Sequence, residues 1–213
     1  MPGCAVNAKN TTPRRYPGCS SPISREEETV YRVALPPEIL AERDSLAILR
    51  FTATLGRPAV VRLVDEALCR EEVAAVNTAA PTPYGREVIV AAHQTGRRVA
   101  VVSNNSAASV HTYLNARRLT SYVHPVIGRT IADPEMMKLN PAPVLEAVQE
   151  LRANPADRVL VGDSPSDIEA AHAAGVAAIG YANKPGKRER LVAADVVIDS
   201  MADLVAAFAV KEL

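Results

Sequence analysis

Short apolar segments alternate with helical patterns from residue 85 to the end of this 213-residue sequence. The segments rich in β-branched residues are expected to be strands and lie at 98–102, 123–128, 158–161, 176–181 and 195–198. Apolar residues at helical spacing predict helices at 85–94, 106–117, 141–153, 168–174 and 187–193, with a closing helix from residue 201. Strand–helix alternation requires crossover connections, and it therefore predicts an α/β fold with a parallel sheet covered on both faces.

The start of the chain has a different composition. Residues 1–28 are rich in Pro, Gly, Ser and Thr and show almost no apolar periodicity, which is typical of a disordered tail. Residues 29–35 alternate in polarity and include β-branched side chains, so they could form a strand that stops at Pro36-Pro37.

A helical segment without further strands follows. Helical spacing covers 38–55 and 59–68, with a break at Gly56-Arg57-Pro58, and a further short helix is expected from about Arg70. A proline-punctuated linker comes next, at residues 79–84. These patterns predict a tail at 1–28, a helical cap-like segment at 29–80 and an α/β core at 81–213.

Charge and cysteine usage exclude several classes of protein. Lys and Arg number 24 and Asp and Glu number 24, so no charge excess suggests a nucleic-acid partner. The three cysteines lack CxxC spacing, which argues against a disulfide framework or a zinc site. No apolar run is long enough to span a bilayer, and the N-terminus lacks the apolar core of a secretory signal. We expect a cytoplasmic protein without a membrane partner, and the sequence does not indicate an oligomeric state.

Polar side chains that could bind a ligand follow the first predicted strand and precede a later helix. Ser103 and Asn104 stand directly before a helix, where short polar groups and free N–H groups suit phosphate oxygens. The alternative is that Ser103 or Asn105 only caps that helix. Lys138 precedes the predicted helix at Pro141 and could neutralise a phosphate, although lone lysines are mostly solvated surface groups.

Two carboxylates follow the strand at 158–161. Asp163 and Asp167 are four residues apart in Gly162-Asp163-Ser164-Pro165-Ser166-Asp167, and they could both face one Mg²⁺ ion beside a phosphate. Alternatively, Asp167 only stabilises the first turn of the next helix through the helix dipole. Taken alone, the spacing does not decide between these two interpretations.

The order of these three features resembles the haloacid dehalogenase superfamily. The Val-Val-Ser-Asn-Asn run ending at Asn105 is similar to the second motif of that family, Lys138 with Asn140-Pro141 to the third, and Gly162 to Asp167 to the fourth. The resemblance covers about Pro81 to the C-terminus and departs at Leu139, where the family commonly has proline. The helices before Pro81 fit less specifically the small cap of the phosphoglycolate-phosphatase-like and β-phosphoglucomutase-like branch.

The resemblance implies a Rossmann-like parallel sheet and a magnesium-dependent phosphatase or phosphomutase that acts on a small phosphorylated metabolite. Ser103 and Asn104 would bind the phosphoryl group, and Lys138 would steady the nucleophile and the phosphate. Asp163 would ligate Mg²⁺, with support from Asp167.

The nucleophile that this resemblance requires is missing. The family's first motif is an apolar strand that ends in Asp-x-Asp, where the first Asp attacks phosphorus and the second is the general acid and base. The sequence contains no Asp-x-Asp. Asp65-Glu66-Ala67 faintly echoes the Asp-x-Ala form of phosphonate-cleaving relatives, but it lies within a helical pattern. Residues 29–35 could replace the first strand, which the resemblance places at the centre of the sheet, yet prolines follow them.

Three accounts of the missing motif are open. The favoured one is an active phosphatase that is truncated or wrongly started in this sequence, and so impaired as given. The second is a catalytically silent relative that binds a phosphorylated ligand or a protein partner. The third is a different α/β protein, such as a response-regulator-like or nucleotide-binding domain, against which stands the lack of a Gly-rich phosphate loop.

Overall fold

The computed structural model describes residues 35–209, and the structural statements that follow refer to that range. The helices are α1 (Pro37–Ala41), α2 (Ser45–Thr54), α3 (Pro58–Ala75), α4 (Gly85–Gln94), α5 (Ala107–Ala116), α6 (Ala142–Glu150), α7 (Pro165–Ala173) and α8 (Ala202–Ala209). The strands are β1 (Val99–Val102), β2 (Val123–Ile127), β3 (Val159–Gly162), β4 (Ala177–Tyr181) and β5 (Val196–Ile198). The predicted tail at 1–28 and residues 29–34 of the predicted first strand lie outside the described residues.

The helices before the first strand differ from the sequence prediction in two ways. The predicted helix 38–55 is interrupted between α1 and α2, because the Glu42 carboxylate accepts the backbone N–H groups of Arg43 and Asp44 and so competes with helical bonds. The prediction of a separate helix from Arg70 is wrong, because α3 continues without a break from Pro58 to Ala75. No Gly or Pro follows Pro58 inside α3 to end it earlier.

All strand pairs of the described residues are parallel, as predicted. They form two groups, β1–β2 and β3–β4–β5. Within residues 35–209, β1 is hydrogen-bonded only to β2, and β3 only to β4. Val159 and Val161 of β3 are accordingly 54% and 37% exposed. Among the described strands, β1 and β3 are therefore edge strands of their groups.

One apolar core nevertheless lies under both groups. Val144 and Val148 of α6 pack with Ile168 of α7 against a cluster that also contains Val102 of β1 and Leu160 of β3. On the opposite face, α4 packs against β1 and against α8. The two groups are thus joined by shared helices, and the α/β fold predicted from the alternation is confirmed.

The remaining differences are local. The helix expected at 187–193 is only a short 3₁₀ turn at Arg188–Arg190, where Gly186, at φ +77°, precedes the segment. The other predicted strands and helices after residue 85 are present, with ends displaced by at most three residues. Among residues 35–209 no helix has both the length and the apolar content needed to cross a membrane.

Candidate active site

Lys138 connects the carboxyl ends of the two strand groups. Its Nζ donates to the carbonyl oxygen of Val102, the last residue of β1, at 3.1 Å. The same Nζ lies 2.6 Å from Oδ1 of Asp167, in the first turn of the helix that follows β3. The Lys138 side chain is only 11% exposed. An ammonium group has three N–H donors, and these two acceptors leave one for a further partner.

The Asn104 side chain fixes the backbone of Lys138. Asn104 Oδ1 accepts the Lys138 backbone N–H at 2.9 Å, and Nδ2 donates to the Lys138 carbonyl at 3.4 Å. The amide of Asn104 therefore positions the lysine loop against the end of β1. Both polar atoms of the Asn104 side chain are thus engaged by the backbone of Lys138. The role of Asn104 in binding phosphate stays a prediction.

Ser103 lies directly after β1 and next to the carbonyl that Lys138 binds. Its backbone N–H donates to Ile127 at the end of β2, at 2.9 Å, and its Oγ accepts the Asn105 N–H at 3.1 Å. The helix cap of α5 is Ser106, whose Oγ accepts the Ser109 N–H. The interpretation of Ser103 or Asn105 as that cap is therefore wrong, and Ser103 stays a predicted phosphate ligand.

Asp167 closes the turn after β3. Its Oδ2 accepts the N–H groups of Asp163 and Ser164 at 3.1 Å, while Ser164 Oγ accepts the Asp167 N–H in a reciprocal capping box. Burial alone would raise the pKa of Asp167, but the charge of Lys138 and hydrogen bonds from Lys138 and Ser164 lower it. Asp167 is therefore ionised and is a helix-capping residue as well as the counter-ion of Lys138.

Gly162 permits this turn. A Cβ atom at residue 162 would lie 2.3 Å from the Cβ of Asp167, well inside any allowed contact. Only glycine therefore lets the Asp167 side chain fold back over the end of β3.

Asp163 has a more open position. Its side chain is 47% exposed, forms an ion pair with Lys187, and accepts Asn183 Nδ2 at 3.0 Å. Lys187 Nζ also donates to the Asp163 carbonyl at 2.9 Å. The two carboxylates of the turn consequently each have one lysine, so the four charges sum to zero.

The turn after β3 offers a small set of oxygen donors to a magnesium ion. Mg²⁺ keeps several waters and is commonly held by one or two carboxylates plus substrate phosphate oxygens. Both oxygens of Asp167 are engaged, whereas Asp163 is half exposed and could exchange its lysine for a cation. Within residues 35–209 no group of three His, Cys, Asp or Glu side chains gathers around one point. The residues therefore fit an ion shared between Asp163 and a phosphate, and they do not fit a closed protein cage.

A buried ion network lies behind the loop of residues 103–106. Arg129, two residues after β2, donates through Nε to Asp65 Oδ1 and through Nη1 to Glu72 Oε1, both at 2.7 Å. Asp65 and Glu72 are both on α3. Burial would lower the pKa of Arg129, but the hydrogen bonds and charges of Glu72 and Asp65 raise it. Asp65, whose sequence context faintly resembles that of a nucleophile, is therefore a structural carboxylate in a buried ion pair.

A cavity of about 560 Å³ opens beside Lys138. Its lining includes Arg50 from α2, Asn140, Ser164, Ser166 and Arg190. A volume of this size accommodates a small metabolite. The lining places charged groups from separate parts of the chain around the candidate site.

The structure thus brings together most of the residues predicted from the sequence. Lys138 contacts both Asp167 and Asn104, Ser103 adjoins the Val102 carbonyl that Lys138 binds, and Asp163 lies in the same turn as Asp167. Sequence reasoning missed Arg129, Glu72 and Lys187. Arg129 could have been suspected, because it follows Gly128 at the carboxyl end of a predicted strand.

Comparison with known proteins identifies the class. The profile of the haloacid dehalogenase-like hydrolase family matches residues 62–181, more than half of the chain. A phosphoglycolate phosphatase from Salmonella typhimurium is 30% identical over 205 residues, covering 87% of this chain and 79% of that protein. The chain belongs to the haloacid dehalogenase-like hydrolase family, in its phosphoglycolate-phosphatase-like branch.

Solved structures agree with this placement. A predicted phosphoglycolate phosphatase from Haemophilus somnus is 29% identical, with a TM-score of 0.52 over 59% of this chain and 56% of that one. CbbY from Rhodobacter sphaeroides, solved in complex with phosphate, is 23% identical, with a TM-score of 0.60 over 85% of this chain and 80% of that one. The latter likeness supports the fold alone.

Proposed function

We propose that the site around Lys138 binds the phosphoryl group of a small phosphorylated metabolite and that the chain is a phosphatase of this family. The observation that carries the proposal is the position of the Lys138 ammonium, between the end of β1 and the turn after β3, with one N–H left over. A phosphoryl oxygen at that N–H would lie beside Ser103. The family supports a phosphatase, and 2-phosphoglycolate is the first compound to test because relatives carry the name phosphoglycolate phosphatase.

The cavity beside Lys138 would hold the rest of the metabolite. Arg50 of α2 lines it and donates to the Lys138 carbonyl at 3.4 Å. We place α1 to α3 as the cap of this site on the basis of that contact. Ser164 and Ser166, at the start of α7, also line the cavity and offer further hydrogen-bond partners.

Magnesium belongs to the same proposal. The charges of Lys138, Lys187, Asp163 and Asp167 already balance, so a phosphate dianion alone would leave the site with a net negative charge. Asp163 would hold the ion together with a phosphoryl oxygen, and the ion would neutralise charge on the phosphoryl group. Mg²⁺ and phosphate should therefore each strengthen the binding of the other.

A second candidate function is binding without turnover. The observation that favours it is in the sequence, which has no Asp-x-Asp to attack phosphorus. Loss of a covalent nucleophile commonly lowers turnover by several orders of magnitude, because the remaining groups only bind and polarise the substrate. Such a chain would bind a phosphorylated ligand or a protein partner instead.

One experiment tests the proposal and separates the two functions. Binding of inorganic phosphate to the full chain is measured by titration calorimetry, with Mg²⁺ and with a chelator, for the parent, Lys138→Met and Lys184→Met. Lys184 is the matched control, since it is an exposed lysine that does not line the cavity beside Lys138. We expect Lys138→Met to weaken phosphate binding by about tenfold or more, as for a lost hydrogen bond to a charged group.

Equal phosphate affinity of Lys138→Met and the parent would refute the proposed site. Release of phosphate from 2-phosphoglycolate is then followed with the same three proteins. Turnover that depends on Lys138 and Mg²⁺ supports the phosphatase, whereas binding without turnover supports the silent relative.

A further inference from the structure

Arg129 is the most deeply buried charged side chain near the site. Its side chain is 1% exposed, and it lies two residues after β2, where it links the core to the helix α3. Besides its bonds to Asp65 and Glu72, Nη1 donates to the carbonyl of Asn104 at 2.8 Å. Its backbone N–H donates to the carbonyl of Asn105, also at 2.8 Å. Arg129 therefore binds the loop after β1 through both its side chain and its backbone.

The two carboxylates complete the attachment from the other side. Asp65 and Glu72 are seven residues apart on α3, about two helical turns, so they share one face. Glu72 uses Oε1 for Arg129 and Oε2 for the backbone N–H of Ser106, at 2.8 Å. Asp65 uses Oδ2 for the N–H of Ala132, at 2.7 Å. Helix α3 thus fixes the loop at Ser106 and the segment after Arg129 at once.

A short series of bonds leads from this network to the lysine of the site. Arg129 holds the Asn104 carbonyl, and the Asn104 side chain accepts the backbone N–H of Lys138. The Lys138 ammonium then lies against Val102 and Asp167. A movement of Arg129 would consequently move Asn104, and with it the loop that carries Lys138.

We propose that Asp65, Glu72 and Arg129 are positioning residues that set the geometry of the phosphate site by holding residues 103–106 and, through Asn104, Lys138. The proposal rests on the proposed function, because it assigns the network to phosphate binding at that site. It makes helix α3 part of the active-site framework without contact with the substrate.

Stability alone is a poor explanation for such a network. Desolvation of buried ions offsets much of their attraction, and apolar replacements of similar size are often neutral or stabilising. One N–H group, Arg129 Nη2, lies 2.6 Å from Asp65 Oδ1 but has no acceptor in hydrogen-bond geometry. A buried charge with an unsatisfied donor is a costly way to pack a helix. The arrangement is better suited to fixing the orientation of the loop.

The experiment replaces the charges and keeps the packing. The triple variant Asp65→Leu, Glu72→Met, Arg129→Met fills the same space without ions, and its fold is checked by circular dichroism and thermal unfolding. The control variant Arg188→Met, Asp199→Leu removes an exposed ion pair whose residues do not line the cavity beside Lys138. Two readouts are taken on the full chain: affinity for inorganic phosphate, and hydrogen exchange of the Lys138 backbone amide.

We expect the folded triple variant to bind inorganic phosphate about tenfold more weakly than the parent and to exchange the Lys138 amide about tenfold faster. The control variant should change both values by no more than about twofold. If the triple variant does not fold, Arg129→Lys is used instead, which keeps the charge but loses the planar guanidinium group. It should show the same weaker phosphate binding and faster exchange of the Lys138 amide.

A folded triple variant that keeps the parent's Lys138 amide exchange would overturn the proposal, because a merely structural network would behave in that way. If the parent itself binds no phosphate, the proposed function fails. The amide exchange of Lys138 still decides whether the network positions that loop.

Discussion

Substitution of Gly162 by alanine is the sharpest single test of the turn after β3. The added Cβ would lie 2.3 Å from the Cβ of Asp167, 2.7 Å from its Cγ and 2.8 Å from its Oδ2. The clash is with the stem of the side chain and so cannot be relieved by rotating a flexible end. Asp167 must therefore move away from the end of β3, and its bonds to Asp163, Ser164 and Lys138 must lengthen or break.

The expected cost combines two effects. Overpacking of a close contact destabilises proteins by about 1–3 kcal/mol. Weakened hydrogen bonds to the buried Asp167 carboxylate add about 1.5 kcal/mol or more. We therefore expect Gly162→Ala to lower the free energy of unfolding by about 3 kcal/mol, which corresponds to a fall in Tm of roughly 10 °C for a domain of this size.

The measurement is urea unfolding followed by far-ultraviolet circular dichroism, because the chain has no Trp to report by fluorescence. Gly85→Ala is the matched control. Its Cβ would meet only Thr82, at 3.4 Å, and Gly85 begins a helix. Alanine there should be neutral or stabilising by up to about 1 kcal/mol. The reasoning is refuted if Gly162→Ala lies within about 0.5 kcal/mol of the parent.

Two further predictions concern other parts of the chain. A hydrogen bond from the Ala178 N–H and another with His172 lower the pKa of Asp195, so its stabilising contribution is present above its unfolded-state pKa and lost as pH falls through the folded-state value. The difference in urea midpoint between the parent and Asp195→Asn should accordingly be largest at neutral pH and vanish in acid; an equal difference at both pH values would contradict this. Gly128→Ala would place a Cβ 2.2 Å from the backbone nitrogen of Ala107. We therefore expect urea unfolding to show a loss of about 2 kcal/mol or more in the free energy of unfolding. An unchanged free energy of unfolding would contradict this close contact.

Except at residues 187–193, the strands and helices after residue 85 could be predicted because their periodicity is local. The strands are short apolar runs that contain β-branched residues, and some helices have a stop signal in the sequence, such as Gly96 after α4 or Gly175 after α7. The break between α1 and α2 could not be predicted in this way. It depends on the Glu42 carboxylate turning back to its neighbours' N–H groups, and nothing in the apolar spacing indicates that choice.

Some residues of the candidate site could likewise be predicted from the sequence, and others could not. Ser103, Lys138 and Asp163 could be selected because polar residues at the carboxyl ends of parallel strands converge on one edge of a sheet. The ion network could not be selected, since Asp65 and Arg129 are 64 positions apart and meet only when α3 packs beside the end of β2. The partner of Asp65 could not be predicted either, because a carboxylate in a helix looks the same in the sequence whether its partner is a buried arginine or a substrate.

The charge balance of the site ties these observations together. Lys138 forms an ion pair with Asp167, and Lys187 forms one with Asp163. These two carboxylates are therefore neutralised by lysines of the chain itself. Two additional carboxylates of an Asp-x-Asp motif would leave such a site with a net charge of about −2, and a divalent cation would then be needed even without substrate. This sequence lacks that motif, so we expect the proposed site to bind Mg²⁺ appreciably only together with a phosphate dianion. On this proposal magnesium binds weakly in the absence of phosphate and more tightly in its presence, and tight magnesium binding without phosphate would contradict the charge argument.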